Sequence, residues 1–200
     1  MAARVGLTLP GLTATAADLA DETGLDAVTV SALARRVGVQ PASLYSHLAG
    51  TDELRSRVAA LALDELADLL SVALAGRSGH DALTALVDVH RDYARAHPGR
   101  WAATQVRVDV AVAGTAGRRV AALMLGVLHG YDLDPAERTH AVRFVGSTVT
   151  GFLHLQSVGG FDHSAPEVDL SWRRMTDALD TALRRWPTDH LPNPRPEDLA

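Results

Sequence analysis

Two hundred residues with 47% hydrophobic side chains can build one large or two small cores, which excludes a disordered chain and a scaffold that depends on staples. The absence of cysteine excludes disulfides, thiolate metal sites and a cysteine nucleophile. A formal net charge of −5, with arginine supplying all 19 basic residues, argues against nucleic-acid binding by bulk attraction. After a short tail through about Thr8, the residues Leu12, Ala16, Leu19 and Ala20 recur at helical spacing, and Gly24 is a natural stop. Thr29 is placed to cap a second helix, whose apolar face is Leu33, Ala34 and Val37. Gly38 permits a sharp turn, Val39 can plug the gap beneath it, and Pro41 suits the first turn of a third helix carrying Leu44 and Leu48. That leaves Gln40, Ala42, Ser43, Tyr45, Ser46 and His47 as its outward residues.

Thr51-Asp52-Glu53 begins the next helix, with acids in its first turn, and Leu54, Val58, Leu61, Leu66, Leu69 and Leu70 carry the pattern to about Leu74. Gly76 to Gly79 breaks it. Ser78 can cap a following helix with Leu83, Leu86, Val87, His90, Tyr93 and Ala94 on one face, ended by His97-Pro98-Gly99. A short segment from Arg100 to Val110 comes next, and Gly114-Thr115-Ala116-Gly117 is expected to separate it from an apolar, buried helix ending near Tyr131. Asp134-Pro135-Ala136-Glu137 reads as a helix start for a segment running from Arg138 to Gly159. A last helix is expected from about Glu167 to Trp186, ended by Pro187 and followed by a loosely ordered tail over 188–200. No uninterrupted apolar run of membrane-spanning length and no leader pattern at the N-terminus are found, so a soluble cytoplasmic protein with no membrane partner is expected.

The run from Ala34 through Gly38-Val39 to Leu44-Tyr45-Ser46-His47-Leu48, continued by Thr51-Asp52-Glu53-Leu54, resembles the DNA-binding segment of tetracycline-repressor (TetR) type regulators. The stretch FLHLQSVGGF followed by LSWRRMTDAL is similar to the last two helices of a TetR-like C-terminal domain. The resemblance implies an all-α fold, with an N-terminal helix-turn-helix head over 1–50 and a larger helical ligand-binding and dimerisation body over 51–187. It implies DNA contacts from Thr29, Gln40, Pro41, Ala42, Ser43, Tyr45, Ser46, His47 and Thr51. Ser43 and Ser46 would then address base edges, and Tyr45 and His47 the backbone; packing of Tyr45 against the first motif helix is the alternative. Many members of that family carry a lysine near the following helix start, where this chain has Thr51. Through residue 60 five arginines (Arg4, Arg35, Arg36, Arg55, Arg57) meet six acids, so phosphates would be held by hydroxyls, backbone N–H groups and helix N-termini, and weak, salt-sensitive binding is expected. Arg35 and Arg36 can be solvated charges or phosphate contacts.

Enzyme chemistry finds no support in the sequence. There is no Gly-x-Ser-x-Gly elbow, phosphate-cradling loop or His-Glu-x-x-His pair, and no cofactor or metal is expected. Asp88 and Asp92 alternate with Arg91 and Arg95 as expected for a solvated face with local ion pairs, and His90, His129 and His154 read as buried histidines with satisfied nitrogens. In the family's body, the resemblance places Trp101, Gln105, Met124, His129, Phe152 and His154 around a cavity, for which a hydrophobic ligand with one or two hydrogen-bonding groups is expected. Pairing the last two helices about a two-fold axis would give a homodimer that reads a palindromic operator, with Val149 in the interface. The functional expectation is therefore a sequence-specific transcriptional regulator acting on double-stranded DNA, a repressor released by a small-molecule effector. The alternative is a helical ligand-binding or scaffold protein with little DNA affinity.

Overall fold

A computed structural model of the protein describes residues 7–163 and 165–187; Arg4 and the tail expected over 188–200 lie outside the described residues. Among the described residues the chain is all helical. It comprises α1 (Leu9–Thr23), a 3-10 turn (Leu25–Ala27), α2 (Val30–Val37), α3 (Pro41–Leu44), α4 (Thr51–Leu74), α5 (Gly79–Ala96), α6 (Pro98–Thr104), α7 (Val110–Leu128), α8 (Arg138–Ser157) and α9 (Val168–Arg184).

Local chemistry explains the first three helices. The Thr8 hydroxyl accepts from the Gly11 N–H at 3.3 Å and the Thr29 hydroxyl from the Ala32 N–H at 3.0 Å, so each start has one orphan donor satisfied. Gly38 closes α2 in the left-handed region (φ 74°), which a side chain would disfavour, and its N–H returns to the Ala34 carbonyl. Pro41 opens α3 as expected, but the helix is shorter than the sequence suggested. Beyond Leu44 the chain continues as a turn in which the His47 and Leu48 N–H groups both donate to the Leu44 carbonyl. Leu44 and Leu48 are its only fully buried anchors, and the polar residues between them bury too little to hold a regular helix.

Two apolar cores meet along α4. Its first turns, with Leu54, Val58 and Ala59, belong to the same cluster as Leu12, Leu33 and Leu44, whereas Ala62, Leu66 and Leu70 join the body cluster. Glu53, in the first turn, accepts from the Ala49 N–H at 2.6 Å and fixes the entry into this shared helix.

In the body, α7 lies mainly against α4, and Arg119 of α7 pairs with Asp64 and Asp68 of α4, both at 2.6 Å. The glycines at 114 and 117 do not break the chain there, contrary to the sequence expectation. A helix interior Gly costs about 1 kcal/mol relative to Ala. That cost is offset by burial of Ala113, Ala116 and Val120 and by an Asp109 cap that accepts from the Ala111 N–H at 2.8 Å. Nor is α7 wholly buried as its composition suggested: Ala121, Ala122 and Gly126 are exposed, and residues this small leave little apolar area in water. By length and composition α7 could cross a membrane, yet here it is a partner helix of α4, salt-bridged to it.

α5 and α9 are tied by tertiary contacts rather than local ones. Arg91 is buried, pairs with Asp169 at 2.6 Å and lies over the Trp172 ring, while Asp88 accepts from Trp172 Nε1 at 2.8 Å. Asp88, Arg91 and Arg95 are therefore a docking face for α9 rather than a solvated face, while Asp92 is exposed as expected. The Arg91 hydrogen bond holds the Asp169 carboxyl below its ordinary range. Ser78 stands at the start of α5 without a side-chain capping bond, and α8 begins at Arg138, after a turn in which Asp134 accepts from the Ala136 N–H.

Candidate functional site

The head presents one polar surface. Gln40, Ala42, Ser43, Tyr45 and Ser46 are exposed, and Pro41 and His47 are half-buried. Tyr45 is 59% exposed, which removes the alternative in which it packs on the first motif helix. The Ser46 hydroxyl donates to the Ser43 carbonyl at 2.9 Å, so toward a ligand it acts as an acceptor, while Ser43 keeps both capacities. Thr29 and Thr51 are brought together: the Thr51 hydroxyl accepts from the Val30 N–H at 3.4 Å, so both threonines cap the start of α2. Their hydroxyl hydrogens remain able to donate outward.

The electrostatics of this surface are modest. Arg36 forms a bidentate pair with Glu22 and pulls that carboxyl below its ordinary range. Arg55 donates to the Val28 and Asp26 carbonyls, and Arg57 to Glu53. Arg35 is exposed and has no partner among the described residues, so of the adjacent arginines it is the one available to a phosphate.

A cavity of about 150 Å³, open to solvent on one side, lies in the body between α4, α5, α6, α7 and α8. Trp101, Gln105 and Met124 line it as expected; Gln105 is exposed at the solvent-facing end, where its Nε2 donates to the Thr104 hydroxyl at 2.6 Å. The other three expected residues lie elsewhere. His129 is exposed at the end of α7 and borders a separate recess with Arg77 and Ser78. Phe152 packs between Phe161 and Trp172, with ring centroids 4.9 and 5.1 Å away. His154 is exposed. The physical reason is helical phase: Val145, Gly146, Val149 and Thr150 carry the cavity face of α8. Phe152 and His154 flank the buried Leu153 and are rotated by about 100° to either side of it. Of the three histidines read as buried, only His90 is. Val149, read as an interface residue, is also buried, 4% exposed and on the cavity wall.

Sequence reasoning missed His90 as a cavity residue. It shares a helical face with Leu86 and Val87, and that pattern signals core without distinguishing a wall from a filled interior. Its Nδ1 meets the Leu86 carbonyl at 2.7 Å, its ring stands edge-on to Trp101 at 6.0 Å, and burial lowers its pKa.

One short helix touches both regions. α6 supplies Trp101 and Thr104 to the cavity, and its first turn lies directly on the end of α1. A Cβ on Gly99 would fall 2.0 Å from the Ala20 carbonyl carbon and oxygen, an approach open only to glycine. Asp21 of α1 accepts from the Arg100 N–H at 2.8 Å and meets His97 Nδ1 at 3.1 Å. The Arg100 side chain joins Asp18 and Asp21 of α1 to Glu65 of α4, and Glu65 accepts from the Tyr93 hydroxyl at 2.7 Å. Burial and that carboxylate push the Tyr93 phenol well above its ordinary range.

Comparison with known proteins assigns both halves. Residues 12–58 match the model of bacterial regulatory proteins of the tetR family, and residues 83–179 match that of the tetracyclin repressor-like C-terminal domain. Over 166 residues, 81% of this chain, the sequence is 30% identical to the uncharacterized HTH-type transcriptional regulator YobS of Bacillus subtilis, covering 85% of that protein. The chain belongs to the TetR family. A second relative, the uncharacterized HTH-type transcriptional regulator Rv0681 of Mycobacterium tuberculosis, is 33% identical over 145 residues, 71% of this chain and 66% of its own length. The fold matches that of a possible TetR family transcriptional regulator from Streptomyces coelicolor A3(2), with a TM-score of 0.72 at 20% identity, over 90% of this chain and 100% of that one. As a TetR-family member the protein is a DNA-binding transcriptional regulator, the first of the two functional expectations. The family is one of regulators rather than enzymes.

Proposed function

We propose that this regulator is a cytoplasmic homodimeric repressor that holds a palindromic operator through α3 and its following turn, and releases it when a small molecule fills the body cavity. The observation that carries this reading is the double role of α6, which walls the cavity with Trp101 and Thr104 and clamps α1 through Gly99 and Arg100. A ligand that displaces Trp101 moves the surface on which the head rests. Release follows only if the ligand binds the arrangement of heads that misfits the operator more tightly, because equal affinity for both arrangements shifts nothing.

Base contacts fall to Ser43 and Ser46, with Gln40, Pro41 and Ala42 beside them; Tyr45, His47, Thr29 and Thr51 address the backbone, joined by Arg35. Dimerisation uses α8 and α9. It is supported by the apolar side chains they leave in water, among them Phe144 (38% exposed), Leu155 (47%) and Leu170 (38%), with Val158 (62%) just beyond α8. Two recognition segments would then meet major-groove faces about 34 to 36 Å apart, or a multiple of that spacing. Selection of bound sequences from a random duplex pool tests the proposal. A palindromic winner is expected; a single unrepeated half-site, or no enrichment at low salt, would overturn it.

A further inference from the structure

The chemistry of the cavity wall restricts what can enter it, given that the cavity is the effector site proposed above. Among the described residues no Asp, Glu or Arg lines it, and most of the wall is aliphatic or aromatic. Its volume of about 150 Å³ suits one small ring, since an apolar cavity of that size takes up benzene. The polar group set deepest is His90, 8% exposed. The Leu86 carbonyl 2.7 Å from Nδ1 can only accept, so Nδ1 carries the hydrogen. In the neutral ring Nε2 is then a bare acceptor, on the edge turned away from its own helix, and it has no hydrogen-bond partner among the described residues.

We infer that the cavity selects an uncharged, mostly apolar molecule of single-ring size that carries one O–H or N–H donor and gives it to His90 Nε2; a simple phenol is the type. A carboxylate would meet a lone pair at His90 and no cation, and the neutral donors of Trp101, Gln105 and Thr150 toward the rest of the wall would offset only part of its desolvation. An ammonium group would find an acceptor but no counter-charge in an apolar wall. An apolar ring with no donor would fit the space but leave Nε2 desolvated and unpaired.

The test uses the full-length protein and three probes of similar size: phenol, toluene and benzoate. Calorimetric titration should show phenol and toluene binding and benzoate at least tenfold weaker than phenol. Substituting His90→Phe keeps a ring and removes the acceptor, and should cut the phenol-to-toluene affinity ratio at least fivefold. In the unsubstituted protein, the ¹⁵N resonance of His90 Nε2 should move upfield with phenol and not with toluene, a readout independent of how any variant folds. Gly146→Leu grows into the cavity from α8, where a Cβ would lie 3.6 Å from the Met124 methyl, and should abolish binding of both neutral probes. Benzoate binding as tightly as phenol, a His90 resonance indifferent to phenol, or a phenol-to-toluene ratio unchanged in a folded His90→Phe would each overturn the inference. Phenol bound in the cavity with operator affinity unaltered supports this ligand class and overturns the release mechanism; operator release by benzoate but not by phenol does the reverse.

Discussion

Gly99→Ala isolates the contact between head and body. The substitution is favourable for α6 taken alone, because alanine in a helix is about 1 kcal/mol better than glycine, and Gly99 has no positive φ. Against that gain stands the backbone of α1. The new Cβ would lie 2.0 Å from the Ala20 carbonyl carbon and oxygen and 2.5 Å from the Asp21 N, all main-chain atoms with no rotamer to change. Ordinary contact begins near 3.4 Å, so α6 and α1 must separate by roughly 1.4 Å. Overpacking of this kind costs about 1 to 3 kcal/mol, and the separation also stretches the 2.8 Å bond from the Arg100 N–H to Asp21. The net expectation is a loss of about 1 to 3 kcal/mol in urea unfolding, accompanied by altered operator affinity as the head is displaced. Gly126→Ala is the matched control: it lies inside α7 with nothing within 4 Å of its Cβ, and should be neutral or stabilising by up to about 1 kcal/mol. If both variants unfold at the same denaturant concentration, the close approach of α6 to α1 does not hold head and body together.

Tyr45→Phe should weaken all operators alike and Ser43→Ala should shift preference at particular base pairs; equal losses on specific and random duplexes for both would reject their separate roles. Leu155→Arg together with Val158→Arg should leave the fold intact and convert the dimer to a monomer in sedimentation, and a dimer that survives both places the interface on other helices. Burial keeps the His90 ring neutral, whereas the unfolded chain takes up a proton below about pH 6.5. Its contribution to stability is therefore complete above that value and lost as the pH falls from there toward the depressed native value, at up to about 1.4 kcal/mol per pH unit. Urea unfolding between pH 7 and pH 5 should show a slope that is shallower in His90→Phe; parallel slopes would show that His90 titrates alike folded and unfolded.

Local chemistry by itself determined the helices of the head and most of their ends. Thr29, Gly38 and Pro41 act on their immediate neighbours, through a cap, a left-handed turn and a fixed φ, and such effects can be read from adjacent residues. The outward set from Gln40 to His47 followed from the same reasoning, because Leu44 and Leu48 fix which side of that short segment faces the core. The glycines at 114 and 117 failed as breakers because α4 supplies a packing partner that local propensity cannot anticipate. The cavity was only half legible. Trp101 and Met124 could be placed on segments near it, but the rotation of α8, which turns Val149 and Gly146 inward and Phe152 and His154 away, is set by how α8 packs on its neighbours. His90 looked like core because a cavity wall and a packed interior demand the same apolar spacing. The partners of Arg91 and Arg100 were likewise decided in three dimensions: each reaches a carboxylate some 80 positions away in the chain, and only the folded arrangement of helices brings those charges together.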